Sequence, residues 1–191
     1  LPLAGLLILG YLLGSVASAV VVCRALRRPD PRSGGSRNPG ATNVLRIAGR
    51  DAAALTLAGD VLKGLLAVIV ARAVTAEPTA WALTGAAAFF GHLYPVFFGF
   101  RGGKGVATAL GALAAATPWA GLMTVGTWLA VVAVARVSAL GALVAFALAP
   151  VYVALVTGGT PELVAIAAVV SVALIWRHRG NIRGLVAGTR P

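Results

Sequence analysis

The chain has 191 residues, of which 59% are hydrophobic and 11% charged, and its formal net charge is +11. This composition, with a mean hydropathy of +0.92, excludes a soluble nucleic-acid-binding domain, which needs a solvated basic face, and a disordered chain, which is too polar to collapse. One cysteine, Cys23, excludes an internal disulfide and a cysteine-based zinc site. Because the chain is so apolar, we expect an integral membrane protein.

Seven apolar segments predict an all-α membrane fold. A membrane-spanning helix needs about 20 mostly apolar residues. The first segment has no basic leader, which predicts a retained helix rather than a signal peptide. The fourth is so short that crossing a full bilayer would require shielding by protein. In chain order the segments are 1–23, 51–72, 80–98, 105–116, 119–135, 138–157 and 162–177.

The positions of the basic residues predict the topology. If the N-terminus lies outside, fourteen of the sixteen Lys and Arg fall in the cytoplasmic segments 24–50, 99–104, Arg136 and 177–191. This positive-inside bias predicts seven transmembrane helices, with the N-terminus outside and the C-terminus in the cytoplasm. The length predicts a single membrane-embedded domain over 1–191.

The first cytoplasmic connection contains a stretch rich in Gly, Asn and Ser, residues 33–46. Asn38 followed by Pro39 predicts a short helix that Asn38 caps and that closes near Gly49. The N–H groups and the dipole at the start of such a helix favour an anion.

Polar side chains on this short helix suit a phosphate. Thr42, Arg46 and Arg50 are spaced by four and are expected to share one face, with Asn43 alongside. A hydroxyl, an amide and a guanidinium together can donate several hydrogen bonds to one phosphate. The alternative is a solvated basic loop that contacts lipid headgroups.

The second cytoplasmic connection is a glycine-rich loop. Gly102, Gly103 and Gly105 flank Lys104, which predicts an anion-binding nest with an added ammonium charge. Because Gly105 stands where a Walker A loop has Ser or Thr for magnesium, no nucleotide is expected. His92 could bond a substrate or transfer a proton. It could equally be a buried histidine bonded to a neighbouring helix.

Two further polar features are ambiguous. The C-terminal segment 176–185 is basic and could simply anchor the chain to anionic lipid. Asp60 and Lys63, three residues apart within one predicted span, are expected to form an ion pair. That pair could be structural, or it could support a functional site, because ionisable groups at membrane depth are costly.

The residue inventory limits the chemistry. With only two histidines and few carboxylates, neither a Ser-His-Asp triad nor a cluster of metal ligands can be assembled. Catalysis would therefore depend on positioning and on cationic stabilisation of developing charge, which suffices when the acyl donor is already activated. We expect no cofactor, no metal and no nucleic-acid partner.

The polar motifs resemble those of the bacterial acyl-phosphate:glycerol-3-phosphate acyltransferase family over essentially the whole chain. The motifs that carry the resemblance are Gly14-Ser15, Asp30-x-Arg32-x-x-Gly35-Ser36-x-Asn38-x-Gly40-Ala41-Thr42-Asn43-x-x-Arg46, Gly91-His92-x-x-Pro95-Val96-Phe97, Gly102-Gly103-Lys104-Gly105-Val106-Ala107-Thr108 and His178-x-x-Asn181-Ile182.

The resemblance implies a seven-helix inner-membrane enzyme whose site faces the cytoplasm. Such an enzyme transfers a fatty acyl group from acyl phosphate to the sn-1 hydroxyl of glycerol 3-phosphate. The products are lysophosphatidic acid and phosphate, and the reaction is the first step of phospholipid synthesis. The implied partners are these two substrates and membrane lipid.

The resemblance also implies two groups of site residues. Those expected to be catalytic are Ser36, Arg46, Lys104, His92 and Asn181. Those expected to bind substrate are Asn38, Thr42, Asn43, Gly102, Gly103, Gly105, Ser138 and His178. The three glycines would present backbone donors to the phosphate of the acyl donor.

The sequence departs from the family pattern at three notable positions. Arg37 stands where the family usually has Gly, Gly184 where it has Arg, and Arg190 where it has Glu. Two other classes of protein remain open from the residues alone. One is a small permease for glycerol phosphate or another phosphorylated anion, which would carry polar residues through its spans. The other is a non-catalytic assembly factor that binds anionic lipid.

Overall fold

The computed structural model describes residues 2–188, and within that range every regular element is helical. A 3₁₀ turn, Val96–Phe98, follows the fifth of ten α-helices. The helices in this range are α1 (Leu3–Gly14), α2 (Ser18–Ala25), α3 (Ala41–Ala48), α4 (Arg50–Val74), α5 (Pro78–Leu93), α6 (Val106–Ala116), α7 (Pro118–Ala135), α8 (Ser138–Thr157), α9 (Pro161–Arg177) and α10 (Arg179–Val186).

Within residues 2–188, helices cover most of each of the seven predicted apolar segments, but these helices differ in length and straightness. By length and composition, four helices could each cross a membrane: α4, α5 with its 3₁₀ turn, α7 and α8. The number rises to six if α1 with α2, bent by 41°, and α9 with α10, bent by 57°, are each one span. The helix α6 has only 11 residues. The all-α class is therefore confirmed, and the count of seven spans stays a prediction.

Local sequence sets several of these boundaries. Pro78, Pro118 and Pro161 each occupy the start of a helix. Proline is well suited to this position, because its missing N–H would have no helical partner there. Gly158 ends α8 in the left-handed conformation, with φ of 66°, which glycine adopts without a steric penalty.

The first apolar segment is broken rather than continuous. We predicted one helix over 1–23, but α1 ends at Gly14 and α2 begins at Ser18. The N–H groups of Val20 and Val21 both donate to the Ala17 carbonyl. The Val16 carbonyl, one residue earlier, instead accepts a hydrogen bond from Lys63 Nζ at 2.8 Å.

The described residues fall into two compact units that divide between Ala112 and Leu113. In the first unit, α1 packs on α4 and α5, and α4 also packs on α2, α3 and α5. Gly14 on α1 faces the Ala88 backbone, and Gly91 on α5 faces the Tyr11 backbone, so neither position has room for a side chain. Small residues of this kind allow close helix packing in membranes. In the second unit, α7 packs on α8 and α8 packs on α9.

Candidate active site

The short helix that the sequence predicts after residue 38 is present as α3, with a shifted start. It begins at Ala41, with Gly40 extended at its N-cap, rather than at Pro39 with Asn38 as the cap. The Gly40 N–H donates to the Asn38 carbonyl at 2.9 Å, so the chain turns there before the helix can begin. The predicted end of this helix near Gly49 is confirmed, and Gly49 has φ of 94°.

The break at Gly49 separates Arg50 from the two residues with which we expected it to share a face. Arg50 is the first residue of α4, whereas Thr42 and Arg46 lie on α3. The prediction that Thr42, Arg46 and Arg50 share one helical face is therefore wrong for Arg50. The four-residue spacing holds only within a continuous helix, and Gly49 interrupts it.

An apolar face fixes the orientation of α3. Val44 and Ala48 are buried against Ala19 and Cys23 of α2 and Ala52 of α4. Since these residues occupy the inner face, Thr42 and Arg46 are exposed on the outer face. The packing therefore presents a hydroxyl and a guanidinium outward from the same short helix.

The Asn43 side chain holds the loop that precedes α3. Its Oδ1 accepts the Ser36 N–H at 2.9 Å. Its Nδ2 donates to the carbonyls of Pro31 and Gly34, at 2.9 Å and 3.1 Å. Asn43 is 2% exposed, and both of its amide hydrogens are used by the protein. Its role in the structure is thus to shape the loop that carries the exposed Ser36, and the predicted contact of Asn43 with substrate stays a prediction.

Two residues of this loop have a left-handed backbone. Arg37 has φ of 55° and Gly35 has φ of 58°, both left-handed. Glycine is the usual residue at such angles, and the family resemblance implies a glycine at position 37. Arg37 therefore retains the backbone turn at the cost of some strain.

An ion pair lies at the start of the same loop. Arg32 Nη2 lies 2.7 Å from Asp30 Oδ2, and Arg32 Nε donates to Asp30 Oδ1 at 3.0 Å. The hydrogen bonds from the Arg32 side chain lower the pKa of the Asp30 carboxyl below its ordinary value. The carboxylate therefore stays ionised at neutral pH and can hold Arg32 in place.

Replacing Asn43 by alanine is expected to lower the free energy of unfolding by about 2–3 kcal/mol, because buried carbonyls lose their donors. The loss is measured by thermal unfolding in detergent. Arg50→Ala, which removes an exposed side chain one residue beyond Gly49, is the control and should shift the unfolding midpoint little. Equal midpoints for Asn43→Ala and Arg50→Ala would contradict the loop-holding role.

The three glycines of the glycine loop differ in the structural reason that favours glycine. Only Gly105 of the three has a positive φ, 85°. A side chain at Gly102 would meet the carbonyls of His92 and Leu93, and one at Gly103 would meet the His92 ring. The loop is therefore pressed against the end of α5, and Lys104, which follows, is half-buried.

One backbone donor of this loop is already used. The Gly103 N–H donates to the His92 carbonyl at 3.2 Å. For the Gly103 N–H to bind a phosphate as predicted, its hydrogen bond to the His92 carbonyl would have to be replaced by one to the phosphate. The bond itself fixes the approach of the loop to α5.

The expected ion pair within the first unit is confirmed, and it has a third member. Lys63 Nζ lies 2.9 Å from Asp60 Oδ1, with both side chains buried. His92 Nδ1 of α5 lies 2.8 Å from Lys63 Nζ and 3.4 Å from Asp60 Oδ1. The buried histidine bonded to a neighbouring helix, one of the two alternatives for His92, is thus what the structure shows. Sequence spacing could pair Asp60 with Lys63, but it could not identify a partner from another helix.

The remaining predicted residues lie in the second unit. His178, between α9 and α10, is buried, and its Nδ1 is 2.8 Å from the Leu174 carbonyl oxygen. Asn181 lies on α10, and Ser138 is the first residue of α8. The Ser138 carbonyl accepts the indole N–H of Trp128 at 3.3 Å. Gly184 also lies on α10, whereas Arg190 is outside the described residues.

Comparison with known proteins identifies a family of membrane enzymes. The family model for glycerol-3-phosphate acyltransferase matches residues 4–188. A glycerol-3-phosphate acyltransferase of Halorhodospira halophila is 56% identical over 183 residues, covering 96% of this chain and 92% of that protein. One from Thioalkalivibrio sulfidiphilus is 54% identical over 190 residues, covering 99% and 93%.

A solved structure is similar over nearly the full length. It is the crystal structure of PlsY (YgiH), an integral membrane glycerol 3-phosphate acyltransferase, in its glycerol 3-phosphate form. The TM-score is 0.92 at 37% identity, and the match covers 99% of this chain and 94% of that chain. The lysophosphatidic acid form of the same protein matches with a TM-score of 0.87 at 36% identity, with the same coverage.

Proposed function

The chain belongs to the glycerol-3-phosphate acyltransferase family, and we propose that it transfers a fatty acyl group from acyl phosphate to the sn-1 hydroxyl of glycerol 3-phosphate. The products are 1-acyl-glycerol 3-phosphate, which is lysophosphatidic acid, and inorganic phosphate. The observation that carries the proposal is a pair of cationic loops in one compact unit: the loop before α3, together with Arg46 on α3, and the glycine loop with Lys104. Each suits a phosphate group.

The two loops would serve different parts of the reaction. Ser36 and Arg46 would bind glycerol 3-phosphate, with Asn38 and Thr42 beside them, and Lys104 would neutralise charge at the reacting centre. Gly102, Gly103 and Gly105 would form the cradle for the donor's phosphate. Asn181, Ser138 and His178, which lie in the second unit, stay predicted site residues.

The proposed chemical step is acyl transfer between two oxygens. The sn-1 hydroxyl oxygen attacks the acyl carbon and forms the ester C–O bond. The bond from that carbon to the phosphate oxygen breaks, and the phosphate leaves with the electron pair. The departing phosphate is basic enough to take the hydroxyl proton, so the step needs no base from a protein triad. Cationic side chains then act by holding two anions together and stabilising the charge that develops between them.

A donor comparison tests the proposal. Purified protein in detergent is given glycerol 3-phosphate with either palmitoyl phosphate or palmitoyl-CoA, and lysophosphatidic acid is measured. Product is expected from palmitoyl phosphate and at most a trace from palmitoyl-CoA. Equal rates with the two donors would refute the donor assignment. Consumption of palmitoyl phosphate only in the presence of glycerol 3-phosphate would also exclude a non-catalytic lipid-binding factor.

The buried charges favour the enzyme over a permease. A permease would carry polar residues along its spans. In residues 2–188, the buried Asp and Lys form a single pair, Asp60 with Lys63, closed by His92. Uptake of glycerol 3-phosphate into sealed vesicles without any acyl product is the result that would favour the permease.

The proposed topology has seven spans and one membrane-embedded domain, with the N-terminus outside and both cationic loops at the cytoplasmic face of the bacterial inner membrane. The positive-inside distribution supports this arrangement. It can be tested by cysteine labelling, because the single native cysteine, Cys23, is buried. An impermeant maleimide applied to spheroplasts should label Glu77→Cys, and should label Arg37→Cys and Arg101→Cys only after permeabilisation. Labelling of positions 37 and 101 from opposite sides would overturn the shared face.

A further inference from the structure

The buried Lys63 side chain contacts three polar groups. Its Nζ lies 2.9 Å from Asp60 Oδ1, 2.8 Å from the Val16 carbonyl oxygen and 2.8 Å from His92 Nδ1. An ammonium has three N–H donors and no acceptor. The three partners come from α4 itself, from the break between α1 and α2, and from α5, so Lys63 joins three separate segments of the first unit.

The contact between Lys63 and His92 bears on the protonation of the His92 ring. An ammonium can only donate, so a protonated Lys63 makes His92 Nδ1 the acceptor of their 2.8 Å contact. The carboxylate is more distant from Nδ1, at 3.4 Å, and its closer partner is the ammonium. A neutral imidazole with Nδ1 as acceptor carries its proton on Nε2. The Asp60–Lys63 pair therefore selects one tautomer and one orientation of the ring.

The opposite edge of the same ring contacts the glycine loop. The space that a side chain at Gly103 would occupy is taken by His92 Nε2 and the neighbouring ring carbons. The His92 backbone carbonyl accepts the Gly103 N–H at 3.2 Å. His92 is 6% exposed, so its ring is enclosed between the charged pair on one side and the loop on the other.

We propose that Asp60 and Lys63 are positioning residues for the acyl transfer, acting through His92 on the glycine loop that contains Lys104. The inference rests on the proposed function, because it assigns the loop to the donor's phosphate. Neither residue touches substrate in this arrangement. The Asp60–Lys63 pair fixes the orientation of the His92 ring, and the ring fixes the position of Gly103. The glycine loop in turn binds the phosphate of the acyl donor.

The test uses a double substitution, because removing one charge of a buried pair leaves the other uncompensated and strongly destabilises a protein. Asp60→Asn with Lys63→Met removes both charges and also the donor to His92 Nδ1. Asp60→Asn with Lys63→Gln removes both charges but keeps an amide N–H on a side chain one atom shorter than lysine. Thr56→Val, on the same helix, is the matched control, since Thr56 is buried with no hydrogen-bond partner for its hydroxyl.

The expected kinetic result separates positioning from folding. In the Asn/Met variant the KM for acyl phosphate should rise about 10–100-fold, as expected for a displaced binding group, while the KM for glycerol 3-phosphate changes little. The Asn/Gln variant should recover part of this loss, and Thr56→Val should match the parent. A purely structural cluster would lower the amount of active enzyme and leave both KM values unchanged.

A second readout does not depend on activity. The chain has two histidines, so ¹⁵N NMR of histidine-labelled protein, assigned with a His178→Gln variant, reports the His92 tautomer. The parent should show protonated Nε2, and the Asn/Met variant should lose that preference. If the parent were inactive but the Asn/Met variant still differed from it in the His92 tautomer, the proposed function would be refuted and the geometry would not. Parental KM and parental tautomer in the Asn/Met variant would overturn the inference, and so would failure of both double variants to fold.

Discussion

Lys104→Ala and Arg46→Ala are each expected to lower kcat/KM about 100-fold while leaving the protein folded. Loss of one cationic contact to developing charge costs about 3 kcal/mol of transition-state stabilisation, which corresponds to that factor in rate. Arg46 is exposed and Lys104 half-buried, so neither truncation opens a cavity in the core. The measurement is steady-state kinetics with both substrates varied, alongside thermal unfolding.

Two neighbouring arginines provide controls of equal charge. Arg101→Ala removes an exposed cation three residues before Lys104, and Arg50→Ala removes one four residues after Arg46 on a different helix. Both should keep most of the activity, with a modest change that diminishes at high salt. Near-parental rates for both Lys104→Ala and Arg46→Ala, or equal losses in all four variants, would contradict specific roles for Lys104 and Arg46.

Gly105→Ala is expected to abolish most of the activity and to destabilise the protein, whereas Gly99→Ala should do neither strongly. Both glycines lie in the same loop at positive φ, 85° and 64°, so both substitutions carry the left-handed backbone cost of about 1–2 kcal/mol. They differ in the space available. A methyl group at 105 would collide with the Phe89 ring and Leu93, whereas nothing lies within 4 Å of one at 99.

The difference between the two glycine variants isolates the collision. Because Phe89 is fully buried, it cannot move aside cheaply, and overpacking of this kind costs about 1–3 kcal/mol beyond the shared backbone strain. Unfolding midpoints and kcat/KM for acyl phosphate measure the two effects. If Gly105→Ala were as active and as stable as Gly99→Ala, the close seating of the loop on α5 would be wrong.

The parts of the fold that depend on local pattern could be predicted from the sequence. Long apolar runs predicted the helices, and Gly49 predicted the end of α3, because hydrophobic length and glycine conformation are properties of neighbouring residues. The Asp60–Lys63 pair was also accessible, since residues three apart on a helix are adjacent. The identity of the family could be recognised from the combination of Gly, Asn and basic motifs.

The features that depend on tertiary contacts could not be predicted. The break after Gly14 lies in a sequence without charged residues. The partners of its polar groups come from elsewhere: Lys63 binds the Val16 carbonyl, and the Val96 N–H donates to Ser15 Oγ at 3.4 Å. The turn at Gly40 likewise shifted the start of α3 beyond the Asn-Pro signal. The link from Lys63 to His92 joins two helices that sequence spacing cannot relate.

The most direct test of the account measures phosphate and lysophosphatidic acid in the same reaction of the purified parent protein. With palmitoyl phosphate and glycerol 3-phosphate, one phosphate should be released for each lysophosphatidic acid formed, and no phosphate should be released when glycerol 3-phosphate is omitted. Phosphate release that does not need glycerol 3-phosphate would indicate hydrolysis of the donor instead. That result, or lysophosphatidic acid formed without phosphate, would contradict acyl transfer from acyl phosphate.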